Sequence, residues 1–289
     1  MYDSILIPFD GSGRGETAVS LGLELAQALD VPVTVLSVVP AGAEPAGLDR
    51  EQADELRAVS TEHRQEATAR VVDRATELGL DATHSVREGA VYRTILDHAD
   101  EHDTDLIVMG THGRTGPDAV RLGSTAERVI SLASMPVLAV PPAKGIGIDG
   151  DGVDRIVLAT DGSGAADRAA EHGIELAAAT EAAVSVVYVV DSTTYDLQDA
   201  PRSIIGLLTE GGQNTVAEIA AEARDRGLSV DTSVRRGRPD ESVVAFADDR
   251  DGALVVMGTS GRGGATDALL GSTVARVLRR TNSPILVVS

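Results

Sequence analysis

Short apolar runs alternate with longer amphipathic stretches along this chain, and the whole series occurs twice. Residues 4–9, 32–38, 82–86, 105–109 and 135–140 are apolar runs of strand length, bounded by turn residues. Between them, residues 14–29, 50–78, 91–102 and 124–132 follow the helical period; Ala18, Leu21, Leu25 and Ala28 share one face of the first. Ser12 is placed to cap that first helix, and Gly79 stops the long charged one. After a stretch rich in Pro, Gly and Asp from Pro141 to Gly152, strands are expected at 153–159, 183–189, 228–234, 253–257 and 284–288. Helices at 165–179, 203–226, 241–249 and from Ser272 fill the gaps. Strands apolar on both faces, alternating with helices, specify a parallel sheet covered on both sides. The expected fold is therefore α/β, with two tandem doubly wound five-stranded parallel-sheet domains of Rossmann-like type. They span residues 1–142 and 153–289, joined by a linker at 143–152. Ligands of such sheets bind at the carboxyl edge, where strand order reverses.

The candidate chemistry lies at that edge. Val108-Met109-Gly110-Thr111-His112-Gly113 is followed, after nine intervening residues, by Gly123-Ser124-Thr125. Val256-Met257-Gly258-Thr259-Ser260-Gly261 and Gly271-Ser272-Thr273 repeat it at the same spacing. Each copy is an apolar strand running into a Gly-rich loop and then a helix N-terminus. Unpaired backbone N–H groups and the helix dipole make such a terminus attractive to anions. At about 7% glycine usage, five fixed positions recur by chance at about 10⁻⁶ per start site, so a second copy reflects duplication. The turns Asp10-Gly11-Ser12 and Asp161-Gly162-Ser163 follow the first strand of each copy and belong at the same edge. Asp10 and Asp161 are 151 residues apart, whereas Gly110 and Gly258 are 148 apart. The second copy is thus three residues shorter, in the middle loop or the long helix.

Two familiar phosphate-binding patterns fail. The dinucleotide fingerprint needs glycine where Glu16 and Asp167 stand, and no Gly-Lys-Ser/Thr run exists. Composition removes more. With no cysteine, disulfides, thiolate catalysis and Cys–zinc sites are out. A net charge of −20, with Lys144 the single lysine, argues against a nucleic-acid partner and suits a halophile-like acidic protein kept soluble in concentrated salt. No apolar run is long enough to cross a membrane, and no secretory leader is visible, so a cytoplasmic location is expected. His98 and His102 lie four apart with Asp97 and Asp103 beside them, which is metal-like spacing. Position 99 is alanine, so the H-E-x-x-H pattern is absent, the second copy has no such pair, and the pair reads as a solvated helix face.

The glycine pattern resembles that of the universal stress proteins in their tandem, two-domain, ATP-binding form. That family carries Gly-x2-Gly-x9-Gly-Ser/Thr after the fourth strand and an Asp after the first, and both motifs are intact in each half here. The resemblance implies ATP with Mg²⁺ as ligand in each repeat. By position, Asp10 and Asp161 would meet ribose or a phosphate-bound Mg²⁺, and Val38 and Val189 would meet adenine through backbone groups. Gly110, Gly113, Gly123, Ser124 and Thr125 would hold the phosphates of one nucleotide, and Gly258, Gly261, Gly271, Ser272 and Thr273 those of the other. Met109 and Met257 would line the pockets, unless they are simply core. Arg114 and Arg262 follow the second glycine of each loop and are placed to neutralise phosphate charge, unless they are solvated. Ser124 and Ser272 also read as helix N-caps.

The resemblance further implies intrachain pairing of the repeats through residues 137–140 and 285–288. A homodimer of chains is compatible with it, though no feature of the sequence marks one. No convergent base or nucleophile is visible, so the expected role is a nucleotide-responsive stress regulator or protector that is at most a weak ATPase. The alternatives are a slow ATP-hydrolysing or nucleotidyl-transferring enzyme using the same pocket, and a nucleotide-free interaction module.

Overall fold

The computed structural model describes residues 2–42, 47–112, 122–142, 153–193, 201–261 and 270–289. The chain divides into two compact units, Met1–Pro142 and Ala143–Ser289.

In the first unit the order is β1 (Ile5–Pro8), α1 (Glu16–Leu29), β2 (Val33–Pro40), α2 (Arg50–Glu77), β3 (Ala82–Gly89), α3 (Val91–Glu101), β4 (Leu106–Gly110), α4 (Ser124–Leu132) and β5 (Val137–Val140). The strands lie side by side as β3-β2-β1-β4-β5, all parallel. The chain therefore winds one way from β1 to β3 and the other way from β4 to β5. Right-handed crossovers then put α1 and α2 on one face and α3 and α4 on the other. Arg74 on α2 accordingly donates to the Ser20 hydroxyl of α1 at 2.7 Å, and α3 packs on α4. Strand order reverses between β1 and β4, which makes their carboxyl ends the switch point.

The second unit repeats this with β6 (Arg155–Thr160), α5 (Gly164–Thr180), β7 (Ala183–Asp191), α6 (Arg202–Asp225), β8 (Val230–Gly237), α7 (Pro239–Asp248), β9 (Ala253–Gly258), α8 (Ser272–Arg280) and β10 (Ile285–Val288). Its strands run β8-β7-β6-β9-β10, again parallel, with the switch point between β6 and β9. The three-residue difference now has a location. Helix α6 has 24 residues against 28 in α2, while ten residues separate β7 from α6 and nine separate β2 from α2.

Both cores are mainly aliphatic. Ile5, Leu6, Ile7, Val108 and Leu138 are fully buried in the first unit, and Ile156, Val157, Val255 and Leu286 in the second. Each such side chain contributes roughly 1.5–3 kcal/mol by leaving water. Close helix–strand packing depends on Gly22 and Gly173, where an added Cβ would strike Ile7 and Leu158. Helix α2 begins with a reciprocal capping box between Asp49 and Gln52, which satisfies two of the donors that a helix start leaves open.

Ser12 does not cap α1 as the sequence led us to expect. That helix starts at Glu16 with Gly15 as its cap residue, after a turn in which the Gly15 N–H donates to the Ser12 carbonyl at 3.0 Å. Its counterpart Ser163 does cap α5, accepting from the Ala166 N–H at 3.3 Å. The difference lies downstream. Gly13 and Gly15 resist helix, whereas Gly164 leads into Ala165 and Ala166, which favour it.

Candidate functional site

Each switch point is built from four pieces, beginning with the turn after the first strand. The Ser12 N–H donates to Asp10 Oδ1 at 3.0 Å, and the Ser163 N–H to Asp161 Oδ1 at 3.0 Å. These matching Asx turns fix the carboxylates at the carboxyl edge of the sheet, with Gly11 and Gly162 in the left-handed region at φ +78° and +72°.

The second piece is the end of β4 or β9. Gly110 lies beside the main chain of Arg14 and Gly15, and Gly258 lies against the main chain of Ala165. Gly261 sits against the Asp161 carboxylate, so closely that a Cβ there would fall 2.5 Å from Oδ2. In the second unit the Asp turn and the Gly loop, far apart in sequence, therefore face one space; in the first, the end of β4 lies against the residues that follow the Asp turn.

The third piece is the helix entrance. The Gly123 N–H donates to the Thr111 carbonyl, and the Gly271 N–H to the Thr259 carbonyl, both at 2.7 Å. Gly123 and Gly271 are the cap residues of α4 and α8, and no side chain caps either helix. Ser124 and Ser272 are thus first-turn residues rather than N-caps; both are exposed, with Thr125 and Thr273 half-buried behind them. An open, uncapped N-terminus directed at the switch point is the polarity that an anion requires.

The fourth piece is backbone. The Phe9 N–H donates to the Leu36 carbonyl at 2.8 Å, so alternate residues of β2 present their N–H and C=O toward β1. Pairing with β1 ends at Pro8 and Leu36, while β2 continues beside β3 as far as Pro40. The N–H and C=O of Val38 therefore point beyond the end of β1, with no strand alongside among the described residues. Val189 occupies the same place in β7, past the Thr160–Tyr188 pair.

Met109 and Met257 are buried, at 5% and 6% exposure, and belong to the cores beneath the loops. The side chain of Val38 is buried, so main chain alone is on offer there, while that of Val189 is half-buried. Gly113, Arg114 and Arg262 lie outside the described residues. His112 shares a 2.8 Å hydrogen bond with Thr111 Oγ1, and its counterpart Ser260 shows that the site needs no imidazole. Sequence reasoning missed Ser12 as an asymmetric element, since its hydroxyl is buried with no hydrogen-bond partner among the described residues, whereas Ser163 caps a helix.

Comparison with known proteins agrees with this architecture. The model of the universal stress protein family matches the chain twice, over residues 1–141 and 152–289. A universal stress protein of Mycolicibacterium smegmatis is 29% identical over 297 aligned positions, covering 98% of this chain and 96% of its own. A shorter one from Methanocaldococcus jannaschii is 36% identical over 137 positions, 46% of this chain and 81% of its own. The crystal structure of a universal stress protein from Archaeoglobus fulgidus superposes with a TM-score of 0.73 at 22% identity, covering 99% of this chain and 96% of that one, a likeness of fold. No helix among the described residues is long and apolar enough to cross a membrane. The chain belongs to the universal stress protein family, with one family domain in each of its two units.

Proposed function

We propose that each unit binds one ATP with Mg²⁺, and that the chain acts as a nucleotide-responsive regulator or protector under stress. The observation that carries this reading is the pair of uncapped N-termini, of α4 and α8, each entered through the same hydrogen bond from the loop that follows β4 or β9. Phosphate oxygens would accept from the first-turn N–H groups and from Ser124 and Thr125, or Ser272 and Thr273. Adenine would pair with the main chain of Val38 or Val189. Arg114 and Arg262 would balance phosphate charge.

A carboxylate close to phosphates is stable only with a ribose or a cation between them, and Asp10 and Asp161 supply hard oxygen ligands suited to Mg²⁺. The ion would bridge phosphate oxygens and offset their charge. Among the described residues of the two sites, the shared ionisable groups are these aspartates, and an Asx turn holds each. Hydrolysis, where it occurs, should therefore be slow.

The test is thermal unfolding in high-KCl buffer with and without Mg·ATP, on the native chain and on the double variant Gly123→Val, Gly271→Val. A Cβ at those positions would lie 3.1 and 2.9 Å from the Thr111 and Thr259 carbonyl oxygens, so the larger side chain must displace the helix entrance. ATP should raise the native melting temperature and leave the variant's unchanged. No stabilisation of the native chain at saturating ATP would overturn the proposal and favour a nucleotide-free interaction module.

A further inference from the structure

We infer that His98, Glu101 and His102, at the end of α3, form a site for a divalent transition ion of the zinc class, present in the first unit alone. Their ligand atoms lie within 4.8 Å of one another. His98 is not the solvated residue that its sequence neighbours imply; it is 3% exposed, and neither ring nitrogen has a hydrogen-bond partner among the described residues. A buried imidazole with two orphaned nitrogens is costly to keep unless something takes up a lone pair.

The partners are arranged to help. His102 Nδ1 lies 2.9 Å from the His98 carbonyl oxygen, which as a donor leaves Nε2 to bind the ion. This is the outer hydrogen bond that metal-bound histidines normally make. The two rings are stacked, with centroids 4.1 Å apart. Glu101 is paired with Arg87 at 2.7 Å, so an ion would share this carboxylate with the guanidinium. Two imidazoles and a carboxylate suit Zn²⁺, with water in the fourth position. The run His98-Ala99-Asp100-Glu101-His102 also fits H-x-x-E-H, the inverted zinc-peptidase helix motif, whose two histidines ligate the ion and whose glutamate is the general base; here Glu101 is assigned as a ligand instead. Because Arg87 occupies Glu101, the arrangement supports ion binding rather than peptide hydrolysis.

The second unit shows what the same place looks like without a metal site. Phe246, Asp249 and Arg250 stand 148 residues after His98, Glu101 and His102. Phe246 is fully buried, Arg250 stacks over its ring at 3.5 Å, and Arg235, the counterpart of Arg87, pairs with Asp249 at 3.7 Å. The slot thus accepts a plain aromatic ring, and the first unit has put a ligand in it.

This inference is independent of nucleotide binding and is tested without ATP. The full chain, stripped with chelator and kept in excess Mg²⁺ to occupy carboxylate sites, is titrated with Zn²⁺ by calorimetry and with Co²⁺ by visible spectroscopy. One Co²⁺ per chain should give the intense bands of a tetrahedral, imidazole-ligated ion. His102→Ala should weaken Zn²⁺ by at least the tenfold to hundredfold that even an outer-shell partner is worth. His98→Phe, which copies the second unit and so keeps the slot filled, should abolish the site while the fold melts normally. Arg87→Gln should tighten binding severalfold by removing a competing cation. Zn²⁺ affinity unchanged in both histidine variants, or Co²⁺ spectra of purely octahedral oxygen ligation, would overturn the assignment.

Discussion

Two glycines at the same place in the two units should respond differently to one methyl group. Gly110 and Gly258 end β4 and β9, and neither has a positive φ, so alanine is acceptable to the backbone at both. At Gly110 the nearest atom to an added Cβ is the His112 carbonyl oxygen at 3.5 Å, an ordinary contact. At Gly258 the same Cβ would fall 2.7 Å from the carbonyl carbon and oxygen of Ala165 and 3.0 Å from its Cβ. Those are main-chain atoms at the start of α5, and relief requires the helix entrance or the end of β9 to move. Overpacking of that kind costs about 1–3 kcal/mol. For a unit of this size, that is a loss of about 3–9 °C in the melting transition. Gly110→Ala removes unfolded-chain freedom without a clash and should fall between neutral and about 0.5 kcal/mol stabilising. Scanning calorimetry of both variants, with ATP titrations alongside, reads both effects. Gly258→Ala should lower the transition and weaken one of the two nucleotide sites, while Gly110→Ala should leave stability and stoichiometry intact. Equal costs in the two variants would refute the reading that the end of β9 is packed more tightly on the start of α5 than the end of β4 is on Gly15.

Three further outcomes follow from particular contacts. Ser163→Ala should destabilise by about 1 kcal/mol through loss of a helix cap, while Ser12→Ala, which removes no hydrogen bond, should be neutral or slightly stabilising in urea melts. Asp240 is buried at the start of α7 and accepts from Arg280 at 2.7 Å, so Asp240→Ala should cost about 1.5–3 kcal/mol by the same assay. Glu24 on α1 has its pKa raised by burial, against the pull of Arg74, and its Oε2 has no partner among the described residues. A carboxyl whose folded pKa lies above the unfolded value of 4.5 contributes stability at low pH that is lost as pH rises through the folded pKa. Glu24→Gln should therefore raise the melting temperature at pH 7 and leave it nearly unchanged near pH 4; the reverse order would contradict the assigned burial effect.

The sequence made the layering of this protein readable because apolar runs such as Ile5–Pro8 and Val137–Val140 are buried on both faces, and a parallel sheet leaves no polar alternation to confuse them. The Asp turns and Gly loops were readable as well, since chemistry and spacing recur in both halves. Other features depend on tertiary context. That Val38 presents an open main-chain edge follows from where β1 stops, which no local pattern records. That Ser12 and Ser163 diverge follows from helix propensity three residues further on. His98 was the deepest misreading: flanked by Asp97, Asp100 and Asp103, it looks solvated, yet helical geometry turns it inward with Ile95 and Ala99.

The central claim, one nucleotide per unit at the β1/β4 and β6/β9 switch points, is tested most directly by calorimetric titration of the full chain with Mg·ATP in high-KCl buffer. The account predicts about two ATP bound per chain, falling to about one in Gly123→Val alone and in Gly271→Val alone, with both single variants still folded. A native chain that takes up no ATP, or single variants that keep both sites, would contradict it.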